Sequence, residues 1–364
     1  MPSGPAPSLF DQVTFRRGPA MANRFMLAPL TNTQSHDDGR CSQEEHDWLV
    51  LRAVGGFGST MTAAAHVQAN GRGFPGQIGI FSDDHLEGLT RLAAAINATG
   101  SVSIAQLHHA GNRAPADLIG TTPVCPSEDP ETGARAMTAA EVEGAIEAFV
   151  AAAVRAEQAG FHGVELHGAH GYLICEFLSS ELNRREDPYG GPLENRARFL
   201  FAILEGIRHR CGPDFIVGVR LSPERFGMRL EEIVELSSEL LGGSLIEFLD
   251  VSLWDCFKKP VADPDGDRLL IDHFTAIERG DVRLGVAGKL RTPADARRVI
   301  ELGVDIALLG RAAIIHHDFP RLTAEDAEFV PVATPVPRAH LAAEGVSPRF
   351  IDYLDRSFKG FVAP

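Results

Sequence analysis

The most informative absence from this 364-residue chain is a cluster of cysteines. The chain has five scattered cysteines and no Cys-x-x-Cys pair: Cys41, Cys125, Cys175, Cys211 and Cys256. An odd number of dispersed thiols argues against a disulfide framework, a zinc site or an iron–sulfur cluster. We therefore expect a reducing, cytoplasmic setting for the protein.

Positive charge is also scarce, since 34 Lys and Arg stand against 49 Asp and Glu, for a formal net charge of −15. Such a balance repels nucleic-acid phosphates and an anionic membrane surface. No apolar run approaches the ~18 residues of a membrane span, and the first residues lack the features of a signal peptide. The sequence thus predicts a small-molecule substrate, with no nucleic-acid or membrane partner.

Short apolar runs, each followed by a helical pattern, recur along the chain. We identify strands at 24–29, 58–63, 102–107, 163–167, 216–221, 246–251, 282–286 and 306–309. Helices are predicted at 44–54, 84–98, 139–159, 193–210, 230–241, 272–279 and 293–302. Strands that are buried on both faces and alternate with helices form parallel sheets, and eight such units favour an α/β fold closed into a (β/α)8 TIM barrel.

We expect this barrel to form a single domain. Its bounds are predicted near 22–318, with an N-terminal cover of the barrel floor at 1–21. The tail at 319–364 is expected to wrap the outside of the barrel and to contain a last helix near 348–356.

Three connections stand out. Those at 108–138 and 168–192 are long, and long loops in compact folds are usually functional, so we expect them on the substrate side of the barrel mouth. The third, at 71–76, matches the G-x-G-x-x-G string of dinucleotide-binding folds. Because Pro75 interrupts it and no helix opens on it, we interpret it as a surface loop after the second strand.

Glycine–basic pairs follow the last two predicted strands, at Gly288-Lys289 and Gly310-Arg311. Barrels of this kind bind phosphate in these two loops, where glycine lets backbone N–H groups approach the anion and arginine adds a bidentate fork. The alternative is that both glycines only permit tight turns. The basic neighbours favour a phosphorylated cofactor or substrate.

Two further polar residues lie near strand ends, where barrel enzymes place their active sites. Arg220 could stabilise an anion that forms in the reaction, or form a buried ion pair with Glu165 or Asp250. Gln106 can donate and accept, which suits a heterocycle that presents carbonyl and N–H groups, although a satisfied core amide is equally consistent.

The segment 164–196 carries the clearest chemistry, because it places His167, His170 and Tyr172 in one loop after the fourth strand. Two imidazoles can hold one oxygen by two hydrogen bonds, and a phenol with a pKa near ~10 can deliver a proton while un-ionised at neutral pH. These groups suit polarising a carbonyl and protonating its neighbour. The spacing also permits metal binding with Glu165 as third ligand, so a metal-assisted barrel hydrolase or lyase is the alternative.

The run HGAHGYLICEFLSSELNRREDPYGGPLENR closely resembles the old yellow enzyme family, as do LAPLTN at 27–32, IAQLHHAG at 104–111 and LLGR at 308–311. The likeness covers residues 8 to 320. It implies a (β/α)8 barrel with non-covalent FMN that takes hydride from NADH or NADPH. The hydride would pass to an activated alkene, an α,β-unsaturated carbonyl or nitro compound. A flavin-binding protein without alkene turnover stays open, as does a homo-oligomer in which Arg349 or Arg356 enters a neighbouring pocket.

The resemblance also implies roles for individual residues. Thr31, with Pro29 and Leu30 beside it, would lie near the flavin C4 carbonyl and N5. Ala63 and Gln106 would contact the ring system, and Arg220 would lie beside N1 and the C2 carbonyl. Gly288, Gly310 and Arg311 would cradle the phosphate. His167 and His170 would bind the substrate oxygen, and Tyr172 would be the proton donor. One branch of the family has Cys and Tyr where this chain has Thr31 and Thr33, so that branch's substrate contacts are not expected.

Overall fold

A computed structural model describes residues 7–364, and at its centre eight parallel strands form a closed barrel. In chain order they are β1 Phe25–Leu27, β2 Ser59–His66, β3 Val102–His108, β4 Gly163–Gly168, β5 Ile216–Leu221, β6 Phe248–Ser252, β7 Arg283–Ala287 and β8 Ile306–Leu309. The barrel closes where β1 pairs with β8, with Phe25 opposite Ala307. The predicted (β/α)8 fold class is confirmed, with the bounds of β5 and β8 as expected.

Seven helices connect the strands: Gln43–Val54, Leu86–Asn97, Ala139–Gln158, Leu193–Arg210, Leu230–Gly242, Asp272–Thr275 and Pro293–Glu301. Thr138 and Thr292 begin two of them with reciprocal capping boxes, which satisfy backbone N–H groups that a helix start leaves free. The predicted helix at 272–279 is too long. It ends at Thr275 because the chain must turn into β7, and Arg279 is tied to Asp305 at 3.2 Å.

Shorter elements decorate this frame. They are the helices Ala116–Ile119, Leu173–Leu178, Arg311–Ile315, Phe319–Glu325, Arg338–Ala343 and Pro348–Ser357, the turns Ala69–Gly71, Asp83–His85 and Gly111–Arg113, and the paired strands Val124–Cys125 and Arg135–Ala136. None of the helices in residues 7–364 is long and apolar enough to cross a membrane.

The barrel interior has its own apolar core. Met26, Met61, Ile104 and Phe248 fill it from the strands, and the N-terminal segment closes its floor with Val13 and Met21. Val13 and Met21 bond to each other by an antiparallel bridge, with N–O distances of 3.0 and 2.9 Å. The predicted floor cover at 1–21 includes both of these residues, and residues 1–6 lie outside the described chain.

Two outer segments reach the barrel mouth. The predicted last helix is present at Pro348–Ser357, and it brings side chains to the mouth. The segment 71–76 is a loop after β2 in which Pro75 is exposed, but it lies only partly at the surface, since Gly71 and Gly76 are buried and Phe74 lines the mouth. A Cβ at Gly71 would overlap the His109 ring, so glycine is needed there for close packing.

Candidate active site

Inward-facing polar residues form one layer near the carboxyl ends of the strands. Register makes them neighbours: Gln106 lies opposite Glu165, and Arg220 lies between His167 and Asp250. Alternate residues of a strand face the same side, so these side chains all enter the barrel while their sequence neighbours pack outward. Backbone pairing thus brings the predicted site residues Gln106, His167 and Arg220 together at one end of the barrel.

Above this layer lies a cavity of about 160 Å³. It is lined by Pro29, Leu30, Thr31, Ala64, Phe74, Gln106, His167, His170, Tyr172, Arg220, Arg311, Ile314, Tyr353, Leu354 and Phe358. A second, open cavity of about 430 Å³ adjoins it and includes Gly288. All but two of the predicted site residues therefore line these cavities. The exceptions are Gly310, which directly precedes Arg311, and Ala63.

Ala63 is displaced from the cavity by an irregularity in β2. The register between β2 and β3 shifts between Met61 and Ala64, which changes which residues face inward. Ala64 lines the cavity, whereas Ala63 packs in the core outside the barrel. A cofactor contact by Ala63 stays a prediction, and position 64 is the one that the structure places at the cavity wall.

The polar layer holds one cation and two carboxyl groups. Arg220 Nε lies 2.9 Å from Asp250 Oδ2, so the predicted ion pair forms while Arg220 also reaches the cavity. Gln106 Nε2 donates to Glu165 Oε2 at 2.6 Å. Burial, reinforced by the nearby Asp250, raises the pKa of Glu165 to about 8, and burial raises the pKa of Asp250 to about 6. Glu165 is therefore mostly neutral at pH 7.

His167 and His170 face each other, with 3.3 Å between Nε2 of His167 and Nδ1 of His170. Burial is the main cause that lowers the pKa of both side chains, to about 3 for His170. Both imidazoles are therefore neutral at pH 7. A neutral imidazole has a single N–H, and its position depends on what the other ring nitrogen bonds.

The hydrogen-bond partners of each ring restrict which nitrogen of His167 and His170 carries the proton. The backbone N–H of Ala169 donates to Nδ1 of His167 at 3.3 Å, so the His167 proton is on Nε2. Arg220 can only donate to the Ser252 hydroxyl, at 3.4 Å, and that hydroxyl lies 2.8 Å from Nε2 of His170, where it can donate its own proton. When Ser252 donates there, the His170 proton is on Nδ1. Two N–H groups that face each other are both satisfied by a shared acceptor, such as one oxygen atom of a bound molecule.

Tyr172 lies beside this pair. Its ring contacts His167 and His108 edge-on, at centroid distances of 5.0 and 4.3 Å. Burial raises the pKa of the Tyr172 hydroxyl, and Arg113, 5.1 Å from the ring centroid, opposes that effect. The phenol therefore keeps its proton at neutral pH and can donate it.

Arg311 marks the other end of the cavity. It is half-buried and forms no ion pair within residues 7–364, and burial, with Arg291 next, lowers its pKa. An uncompensated cation in this position fits an anion. The phosphate of FMN would take Arg311, and its heterocycle would take Gln106 and Arg220, which present amide and cationic groups to the same cavity. The residues present therefore fit FMN.

The proposed metal alternative finds no support in the geometry. Glu165 turns to Gln106, and within the described chain the ligand atoms that converge within 4.8 Å belong to other residues, His316, His340 and Glu344, with His317 and Asp318 beside them. Direct backbone and side-chain contacts already use several of these atoms, including His317 Nδ1, which lies 2.7 Å from Glu344.

Four residues that line the cavity were not predicted from the sequence. Phe74 comes from the loop predicted at the surface, and Tyr353, Leu354 and Phe358 come from the tail. Ser252 was also missed, although its place at the end of β6 is the same signal that selected Gln106. For the tail residues no local pattern existed, because their role depends on how a distant segment packs.

A model of the NADH:flavin oxidoreductase / NADH oxidase family matches residues 8–328. The chain belongs to this family. An old yellow enzyme homologue from Zymomonas mobilis superposes with a TM-score of 0.79 at 26% identity, over 94% of this chain and 99% of that chain. The resemblance to old yellow enzymes is thereby confirmed.

Two curated relatives show the range of the family. A probable NADH-dependent flavin oxidoreductase of Bacillus subtilis is 37% identical over 84% of this chain and 85% of its own length. An NADH:acrylate oxidoreductase of Vibrio harveyi is 33% identical over 89% of this chain, but the chain spans only 34% of that protein. The protein is thus an NAD(P)H-dependent flavin oxidoreductase that uses FMN, with NADH or NADPH as hydride donor.

The neutral state of Glu165 predicts how stability depends on pH. An unfolded Glu has a pKa of about 4.3, so with a folded pKa near 8 the folded protein binds an extra proton between these values. The unfolding free energy should therefore fall as pH rises through this window, and Glu165→Gln should gain stability relative to wild type from about pH 5 to about pH 8. Urea midpoints of the FMN-loaded proteins test this. Glu235→Gln, at an exposed position, is the control. A difference in stability between Glu165→Gln and wild type that stays constant with pH would contradict a protonated Glu165 in the folded protein.

Ser252→Ala should change the tautomer of His170. Without the hydroxyl, Nε2 of His170 loses its donor, and the Nε2–H form should become populated. The ¹⁵N chemical shifts of the His170 ring report the two forms. Ser222→Ala is the matched control, because Ser222 accepts from the His170 backbone N–H at 3.0 Å and not from its ring. Unchanged ring shifts in Ser252→Ala would show that the hydroxyl does not set the tautomer.

Proposed function

We propose that the protein reduces activated alkenes, namely α,β-unsaturated carbonyl or nitro compounds, with NADH or NADPH as reductant. The observation that carries the proposal is the pair of neutral imidazoles of His167 and His170, whose facing ring nitrogens lie 3.3 Å apart at the cavity wall. A carbonyl or nitro oxygen has the lone pairs to accept from both. The acrylate named for the Vibrio harveyi relative is an activated alkene, which is consistent with this substrate class.

In this proposal the two histidines activate the substrate and Tyr172 supplies a proton. FMN, when bound, carries hydride from the nicotinamide to the alkene. His167 and His170 withdraw electron density from the substrate oxygen, which makes the β carbon more electrophilic. Tyr172 donates its hydroxyl proton to the α carbon and regains a proton from solvent, so the alkene gains one hydride and one proton.

The cofactor contacts follow from the same cavity. Thr31, with Pro29 and Leu30, would border the ring system, and Gln106 would bond its pyrimidine edge. Arg220 would supply positive charge at that edge, where a permanent cation favours a developing negative charge. Gly288, Gly310 and Arg311 would hold the phosphate. We infer that a single barrel domain provides all of these groups.

The proposed activity is tested by its two half-reactions. The FMN-loaded protein absorbs near ~450 nm, and anaerobic NADH or NADPH should bleach that band. Addition of 2-cyclohexenone or maleimide should restore it. Bleaching without restoration by either alkene would favour a flavin protein that does not turn over alkenes, and would refute the proposal.

Tyr172→Phe should separate the half-reactions. Flavin bleaching by NADPH should keep its rate, because the hydroxyl is not needed there, while reoxidation by the enone should slow by about a hundredfold through loss of the proton donor. Stopped-flow absorbance measures both rates. Tyr189→Phe is the control, since the Tyr189 hydroxyl donates to Glu143 outside the cavity. Equal slowing of both half-reactions would contradict the role of Tyr172.

A further inference from the structure

The open cavity beside the histidine pair has an outer wall that the proposed chemistry does not use. Arg113, Phe226 and Trp254 line it, and Arg225 stacks on the Trp254 ring at 4.4 Å. We refer to these four residues as the vestibule. Trp254 lies edge-on to the His170 ring at a centroid distance of 6.3 Å. A substrate held by His170 would therefore extend into the vestibule.

Both arginines of the vestibule carry uncompensated charge. Neither Arg113 nor Arg225 has a carboxylate within 4 Å in the part of the chain that the structure describes, and the adjacent Glu224 is already paired with Lys258. The chain has 49 acidic residues against 34 basic ones, so carboxylates are abundant elsewhere. Arg113 lines the cavity, and the exposed Arg225 lies at its edge through the stack on Trp254, so two cations without a carboxylate partner are available to an anionic ligand there.

Arg113 contacts the loop that carries His170 and Tyr172. Its Nη1 donates to the His170 carbonyl oxygen at 2.5 Å, and its guanidinium lies over the Tyr172 ring. This contact holds one cation directly next to the predicted proton donor. An anionic group on the substrate would therefore be bound close to the carbon that receives the proton.

The backbone of the vestibule is strained. Arg225, Phe226 and Trp254 have φ values of 71°, 54° and 64°, in the left-handed region that bulky side chains rarely adopt. Trp254 also remains 46% exposed. Strain of this kind concentrates at ligand sites, and here it presents two aromatic faces and a stacked guanidinium together.

We propose that the vestibule binds a carboxylate of the substrate, so that the protein prefers unsaturated ketones that carry both a carboxylate and a planar apolar group. This inference rests on the proposed alkene reduction. Stacking on Trp254 occupies the face of the Arg225 guanidinium and leaves its in-plane N–H groups for bidentate contact with a carboxylate. Phe226 and Trp254 supply faces for a substrate ring.

The test compares trans-3-benzoylacrylate with its methyl ester, which share the ketone, alkene and phenyl ring. They differ in charge and in intrinsic reactivity, so the quantity compared between variants is the ratio of their kcat/KM values. Arg225→Gln should lower kcat/KM for the acid about tenfold, mainly through KM, and leave the ester unchanged. Arg225→Lys, which keeps the charge without the planar stack, should retain part of the acid preference. Arg229→Gln is the matched control, because Arg229 is exposed nearby and pairs with Glu232 at 3.7 Å.

The same ratio can be measured without turnover. The saturated acid, 3-benzoylpropionate, and its methyl ester should perturb the flavin spectrum of the loaded protein on binding. Arg225→Gln should weaken the acid and not the ester. An acid-to-ester ratio that Arg225→Gln does not change, in turnover and in binding, would overturn the proposal while leaving alkene reduction intact.

Two other outcomes have distinct meanings. If wild type fails to reduce the neutral ester and simple enones as well, the proposed function itself is refuted. The diphosphate of the nicotinamide dinucleotide is a second anion within reach of such a site. If Arg225→Gln raises the NADH concentration needed to bleach the flavin, yet leaves the acid-to-ester ratio unchanged, the vestibule binds the reductant and the carboxylate proposal is wrong.

Discussion

Closure of the parallel barrel is the constraint on which the site depends, because it fixes the register and facing of every strand at once. Arg220 lies between His167 and Asp250 through main-chain pairing alone. The guanidinium, the imidazole and the carboxylate that balances the guanidinium are therefore neighbours whatever rotamers their side chains adopt. A slip of one residue would turn each of them out of the barrel.

Burial then sets the protonation of the groups that register brings together. Desolvation disfavours charge, so it raises the pKa of Glu165 and lowers the pKa of both histidines, which are neutral as a result. Burial also raises the pKa of Asp250, and the adjacent Arg220 opposes that rise. The interior keeps its net charge small, although it contains an arginine and two carboxyl groups. Neutral imidazoles and a neutral phenol result, and these are the donors that carbonyl activation and proton transfer need.

The outer part of the site, which comes from loops and the tail, is not positioned by strand pairing. Phe74, Trp254 and Tyr353 come from two loops and the tail, and each is held by packing rather than by sheet register. In the proposed function, a rigid base would keep the hydride chemistry fixed while the loops around it select the substrate. The arginines and the left-handed backbone of the vestibule belong to these outer segments, and the proposed carboxylate preference rests on them.

The sequence by itself determined the barrel and placed the glycine–basic pairs and the histidine–tyrosine loop directly after strands, because strand alternation and short motifs are local patterns that can be recognised without the fold. It also placed Gln106 and Arg220 correctly at strand ends. Only the tertiary structure decided that Ala64 and not Ala63 faces the cavity, since a register shift in β2 is invisible in composition. It likewise decided the contacts of the His170 ring, whose partner Ser252 is itself bonded by Arg220 from another strand, and the contribution of the tail to the cavity wall. These features arise from contacts between segments far apart in the chain, whose geometry no local pattern records.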